Sequence, residues 1–383
     1  MSASPTDPAL FDVLARHRYR ELDGLRGIAA MMVVLGHGII TVFAAPALST
    51  FALFAAATTG IINGGIAVDL FFIMSGFFLA RMIESARKRG LATYYKRRLA
   101  RLAPPAIVSV IVLYIYTRLC LGPTPEGGAL AAVPYTDFQV LNYHMNWHTL
   151  ALQLILIRNT LNPVLWTIRL EIFISILYPA VMFLHWVRHG MAYRAGLMVG
   201  FIAAAILMNA HQKLGLDVFH YLYMFYAGTL LREAGPAVTR LPAWLPCWIA
   251  TAGILIMAVT GEAVPLLNTH PLRFDLPVTL GGAMLIAMLA HAALPRARAF
   301  LSAAPVQFLG RISYSLYLIH WLAVRWLGQA MLASHLAVQI GVATCVMLLV
   351  PAAAGLSVLF AMALHAVAER PATSWSRRLG VAP

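Results

Sequence analysis

Long apolar stretches, broken by short basic clusters, recur along the whole chain. Runs able to span a bilayer fall at about 22–44, 64–84, 102–121, 164–187, 195–210, 217–231, 244–261, 275–294, 308–328 and 337–366. A helix needs roughly 20 apolar residues to cross about 30 Å of hydrocarbon. The fifth and sixth runs are short, as suits a tilted or irregular span. The last exceeds what one crossing requires, and Pro351 with Gly355 offers a place for it to bend. The pattern predicts an all-α polytopic membrane protein of about ten transmembrane helices. It divides into a tail over 1–20, one membrane domain over 21–371 and a tail over 372–383.

Composition narrows the class further. Of 383 residues, 61% are hydrophobic and 11% charged, with a net charge of +14. Soluble domains carry about twice that charged fraction, and a disordered chain would be far less apolar. Nucleic-acid binding would need the positive charges to form a face; here they sit between apolar runs, so no nucleic-acid partner is expected. Cys120, Cys247 and Cys345 are an odd, scattered set with neither disulfide nor metal spacing. The first twenty residues lack the apolar stretch of a cleaved signal peptide, so the first helix is expected to act as its own insertion signal. No internal repeat of the kind found in transporter halves is visible, and no appended soluble domain is expected.

Placing the amino terminus in the cytoplasm puts 22 of the 28 Lys and Arg on the cytoplasmic side. The positive-inside rule therefore favours both termini inside, in the cytoplasmic (inner) membrane. Most of the charge needs no further explanation. The block 81–101 is different: eight of its residues are basic, more than orientation requires, which suits anionic membrane lipid or a phosphorylated ligand. The loop 122–163 contains Tyr135, Asp137, Tyr143, His144, Trp147 and His148, residues fit for interface anchoring or for stacking on a sugar.

Ionisable side chains inside hydrocarbon cost a few kcal/mol each and mark candidate sites. His37 lies eleven residues past Arg26, about 16 Å along a helix, between Gly36 and Gly38. Asp69, Glu171 and His320 also fall within apolar runs. Each has a plain reading of its own. His320 suits a packed histidine bonded to a carbonyl, Asp69 a helix–helix partner, and Glu171 an ion pair with Arg169 or Arg118. Together, two acids and two bases at converging depths suggest one polar cavity. A histidine with a carboxylate suits general-base chemistry. His291, His365 and Glu369 lie near helix ends, where they cost little. The two intramembrane candidates His37 and His320 share no helix face at metal-ligand spacing, so no metal is expected.

Glu21-Leu22-Asp23-Gly24-Leu25-Arg26-Gly27 followed by His37 resembles the opening signature of membrane-bound acyltransferase family 3, the sugar O-acetyltransferases. The signature is a basic residue, ten positions, then histidine. Gly65 through Phe77 is similar to the family's second-helix motif, and Arg98-Leu99-Ala100-Arg101 to its Arg-x-x-Arg element. Trp166-Thr167-Ile168-Arg169-Leu170-Glu171 resembles its Trp-Ser-Leu-x-x-Glu motif. Gly310 through Trp321 and Glu369-Arg370-Pro371 resemble its late elements. Thr167-Ile168 departs from the usual Ser-Leu, and Ile172 stands where many members carry a second Glu.

The resemblance implies transfer of an acyl group, usually acetyl from acetyl-CoA, to a carbohydrate hydroxyl on a free or lipid-linked acceptor. It implies His37 as general base or transient acyl carrier, with Asp69 or Glu171 orienting its imidazole. Arg98 and Arg101, helped by Arg97, would hold the CoA phosphates. Arg26, Ser313 and Tyr314 would stabilise the oxyanion or line the donor channel, with His320 as a further candidate. Many members append an SGNH-type domain outside the membrane. Its absence from this sequence implies direct transfer or a separate periplasmic acyltransferase partner. Two alternatives stay open: a transporter or flippase of acyl groups or acylated sugars, and an O-acyltransferase of the lipid-modifying type.

Overall fold

In the computed structural model, the residues described are 19–43, 62–121, 147–157, 161–209, 217–262, 272–333, 339–340 and 342–379. Their regular structure is helical. The helices are α1 (Arg20–Phe43), α2 (Gly64–Arg89), α3 (Leu91–Tyr116), α4 (Trp147–Leu154), α5 (Leu165–Val187), α6 (Met191–Asn209) and α7 (Asp217–Glu233). They continue with α8 (Gly235–Val238), α9 (Leu245–Glu262), α10 (Leu272–His291), α11 (Pro295–Leu301), α12 (Ala304–Ala333), α13 (Val342–Leu364) and α14 (Arg370–Arg378). Each of the ten apolar runs falls on one of these. Seven of the helices are long and apolar enough to cross a membrane by length and composition: α1, α2, α3, α5, α6, α10 and α13. Most of the aromatic loop 122–163, including Tyr135, Asp137, Tyr143 and His144, lies outside the described residues, as does nearly all of the amino-terminal tail.

Local chemistry sets the ends of the helices that matter most. The Asn63 side chain accepts from the backbone N–H of Gly65 at 2.8 Å and of Ile66 at 3.3 Å, capping α2. Gly90, at φ 84°, ends α2 and lets the chain turn straight into α3. The last span does not break at Pro351. α13 runs through it, and the irregularity is a π turn at His365–Glu369, just before Pro371, whose nitrogen has no proton to donate. The turn aims Glu369 back at α12, where it accepts from the Ser315 hydroxyl at 2.6 Å and backbone N–H at 3.2 Å.

The short run at 217–231 forms a deeply enclosed helix. On α7, Leu222 through Tyr226 are all at most 4% exposed, because α2, α5, α6 and α10 surround it. Its approach to α2 needs Gly76 and Gly228, each facing the other helix's backbone so closely that a Cβ would overlap it.

A second such contact sets the site. A Cβ on Gly27 of α1 would lie 2.5 Å from the Gly310 nitrogen of α12. From that touching point each helix climbs ten residues, about 15 Å, to reach His37 and His320, so the pair of histidines is a consequence of a pair of glycines. Alanine normally favours a helix over glycine by about 1 kcal/mol, whereas Gly27→Ala here is expected to destabilise. Thermal unfolding in detergent checks the sign, and an unchanged or raised midpoint contradicts the close crossing.

Candidate active site

His37 and His320 meet directly. The His37 Nδ1 to His320 Nε2 distance is 2.9 Å, with the rings 9° from parallel, and the edge of Trp321 packs on His37 at 5.2 Å between centroids. His320 is fully buried. Its Nδ1 lies 2.8 Å from the Tyr317 carbonyl and 3.2 Å from that of Leu316, so Nδ1 must carry the proton. Nε2 of His320 is then an acceptor, His37 donates from Nδ1, and the His37 lone pair is on Nε2, where a base would need it. These tautomers follow from the hydrogen-bond partners. Asn162, also fully buried, braces this stretch of α12 by donating to the Leu318 carbonyl at 2.8 Å and to Ser109 Oγ of α3 at 3.2 Å.

The expected carboxylate partner of the imidazole is therefore replaced by a second imidazole. Glu171 pairs instead with Arg98 and accepts from Ser75 Oγ at 3.1 Å, while Arg98 Nε donates to Ser175 Oγ at 3.0 Å. Both members of this ion pair are largely buried. A guanidinium brought that deep between α3 and α5 takes the carboxylate within reach, because leaving either charge unpaired is costly. Arg169 donates to the Ile157 carbonyl at 3.2 Å, far from the role of Glu171's partner. Asp69 sits on another face of α2, fully buried, with no hydrogen bond to either oxygen among the described residues. Its electrostatic neighbour is Asp275 of α10, which pairs with His220 of α7 at 3.0 Å.

A cavity of about 1350 Å³ opens among α1, α2, α3, α5, α7 and α12. Of the residues expected at the site, it brings together Arg26, Arg97, Arg98, Arg101, Glu171, Ser313 and Tyr314; His37, His320 and Asp69 do not line it. Its inner end is walled by Thr167 and Tyr317, whose hydroxyls lie 2.9 Å apart. The Tyr317 ring is 5.9 Å from that of His320, so a single side chain separates the cavity from the dyad. Arg26 and Arg101 line the wall with no hydrogen bond or ion pair among the described residues, two like charges facing one space. Arg97 is committed elsewhere: its guanidinium donates to the carbonyls of Ser376 at 3.0 Å and Arg377 at 2.8 Å, closing the end of α14. Tyr314 donates to the Leu102 carbonyl at 2.7 Å, tying α12 to α3, while Ser313 donates back to the Gly310 carbonyl one turn earlier on its own helix at 3.0 Å.

Sequence reasoning did not single out Tyr317, Trp321, Ser75, His220 or Asp275. Asp275 stands at the very start of an apolar run, where an acid reads as a boundary residue. Tyr317 and Ser75 are neutral, and only their placement distinguishes them from packing residues. Among the described residues no group of three or more His, Cys, Asp or Glu is arranged to hold a metal ion.

A family model described as an acyltransferase domain matches residues 19–365. Acyltransferase MdmB of Streptomyces mycarofaciens is 25% identical over 336 residues, covering 81% of this chain and 80% of that protein. A putative membrane-bound transacylase, BcsY of Komagataeibacter xylinus, is 26% identical over 81% of this chain and 74% of its own length. Peptidoglycan O-acetyltransferase OatA of Listeria monocytogenes is 25% identical over 68% of this chain and 44% of its own. No solved structure matches the chain.

Proposed function

The chain belongs to the acyltransferase family whose model it matches and is an acyltransferase of the membrane; on that premise we propose that it moves an acetyl group from cytoplasmic acetyl-CoA to a carbohydrate hydroxyl. The acceptor is a glycan such as an exopolysaccharide or O-antigen, free or lipid-linked. The observation that carries this reading is the arginine-lined cavity whose inner end stops one tyrosine ring short of the His37–His320 pair. The activity named for the Listeria relative, O-acetylation of peptidoglycan, supports acetyl as the group and a sugar polymer as the acceptor class.

In this reading Arg26 and Arg101, with Arg98 once Glu171 is displaced, hold donor phosphates. The thioester reaches the dyad past Tyr317. His37 Nε2 takes the proton of the acceptor hydroxyl as its oxygen attacks the thioester carbonyl. The C–S bond then breaks, and the CoA sulfur takes that proton back. His320 holds the His37 tautomer and accepts from the imidazolium as charge develops. A variant route has His37 carrying the acyl group briefly. The cytoplasmic donor fits ten crossings with both termini inside and a location in the cytoplasmic membrane, since most of the basic residues then face the nucleotide. A separate periplasmic acyltransferase would complete delivery where the acceptor lies outside.

Purified full-length protein in detergent, given acetyl-CoA and a candidate glycan, is expected to form the acetyl ester; a pure transporter would not turn over without compartments. The Arg26→Ala, Arg101→Ala double variant is expected to weaken acetyl-CoA binding by roughly tenfold or more, since hydrogen bonds to charged groups contribute about 1.5–3 kcal/mol each. Calorimetry that finds unchanged affinity would move the donor to another part of the molecule.

A further inference from the structure

We infer that the outer mouth of the same cavity is a purine nucleotide subsite that holds the adenine and 3′-phosphate of the donor, a role no part of the sequence motifs assigns to these residues. The inference rests on the reading that the donor is acyl-CoA.

The cavity wall contributed by α2 runs from Val68 to Arg87, nineteen helical steps or about 28 Å, the scale of an extended CoA. The chemistry changes along that stripe. Val68, Phe71 and Phe72 line the inner end, Ser75 the middle, and Arg81 and Arg87 the mouth. A ligand that is acylated at one end, amide-bearing in its arm and polyanionic at the other matches that order.

The mouth is built from more than one element, which separates it from a solvated helix face. Arg87 of α2 lies over the indole of Trp186 on α5, 4.8 Å from the ring centroid, and makes no ion pair among the described residues. A guanidinium held over an aromatic ring offers, with that ring, a surface on which a purine stacks, and its N–H groups remain available to a phosphate. Arg194 and Arg232 close the far wall, each already tied to one carboxylate: Arg194 to Glu233 at 2.5 Å and Arg232 to Glu84. Those ties fix the guanidinium positions without cancelling the field. Over the whole cavity, eight arginines face four carboxylates, a surplus of four positive charges. The inner arginines suit the diphosphate, and the mouth supplies what a phosphomonoester with about −1.5 to −2 charge requires.

Binding of acetyl-CoA, 3′-dephospho-acetyl-CoA and 3′,5′-ADP to the full-length chain in phosphatidylcholine nanodiscs tests this by calorimetry. The wild type is expected to prefer acetyl-CoA over the dephospho compound by roughly ten- to a hundredfold, and Arg87→Ala to remove most of that preference. Trp186→Ala is expected to weaken 3′,5′-ADP by about tenfold, with Trp186→Phe recovering part of it. Arg87 is solvent-exposed, so its loss does not threaten folding. Equal binding of the two thioesters by both wild type and Arg87→Ala would overturn the subsite and leave the donor reading standing. Failure of the wild type to bind either thioester would overturn both.

Discussion

Alanine at position 37 is expected to lower acyl transfer by about 10²–10⁴-fold, the usual contribution of a positioned general base, while acetyl-CoA still binds. His37 is not among the residues lining the cavity, so the donor's anchoring groups are untouched. What disappears is the nitrogen whose lone pair is fixed by a relay running from the Tyr317 carbonyl through His320 to His37 Nδ1. The truncation also strands His320 Nε2, a buried acceptor, at a cost of about 1–3 kcal/mol. His37→Asn separates the two effects. Its amide can still donate to His320 but offers no basic nitrogen, so it should be about as inactive as alanine and closer to wild type in thermal midpoint. Initial rates with radiolabelled acetyl-CoA, paired with unfolding curves, decide the matter, and full turnover by either variant removes His37 from the chemistry. His320→Gln is the complementary probe. A positioning role predicts a reduced rate with a shifted pH–rate profile and little change in donor affinity.

The second large effect is expected at Glu171. Glu171→Ala leaves Arg98 as a largely buried, uncompensated charge, and breaking such a pair typically costs about 3–5 kcal/mol. Ser175 would keep one contact to the guanidinium, so the lower part of that range is expected. Adding Arg98→Ala should return much of the loss, because removing both charges is far less costly than removing one. The cycle is read by unfolding in detergent. A catalytic carboxylate acting on His37 predicts the opposite pattern, with Glu171→Gln losing its rate at unchanged stability and no rescue by the second substitution. The geometry, with Glu171 on Arg98 and Ser75, favours the ion-pair pattern.

In the sequence His37 stands out because a histidine flanked by glycines deep in an apolar run has few structural uses, Arg98 and Arg101 because the block 81–101 carries more charge than orientation needs, and Arg26 only through the family signature. The carboxylates were found as residues and misplaced as partners. Glu171 lines the cavity but is taken by Arg98, and Asp69 lies next to the cavity-lining Val68, yet on α2 the 100° step per residue points Asp69 towards α10 while Val68 and Phe72 face the cavity. No periodicity in the apolar stretch 66–80 says which way its one acid points. Arg97 illustrates the same gap: adjacent to Arg98, it is turned by one residue towards α14, where it closes the end of a helix nearly 280 residues later.

By itself the sequence determined the helical membrane architecture, the helix positions and the family. These follow from local quantities: the length of an apolar run, the charge between runs, and short motifs within single helices. Only the tertiary structure decided which polar side chain answers which. His37 meets His320 across 283 positions and Arg98 meets Glu171 across 73; the first depends on how closely two glycine-bearing helices approach, and both on how each helix is rotated about its axis. In a low-dielectric interior a buried polar group takes the nearest partner that packing presents, and packing is settled by the assembled helices rather than by any one of them.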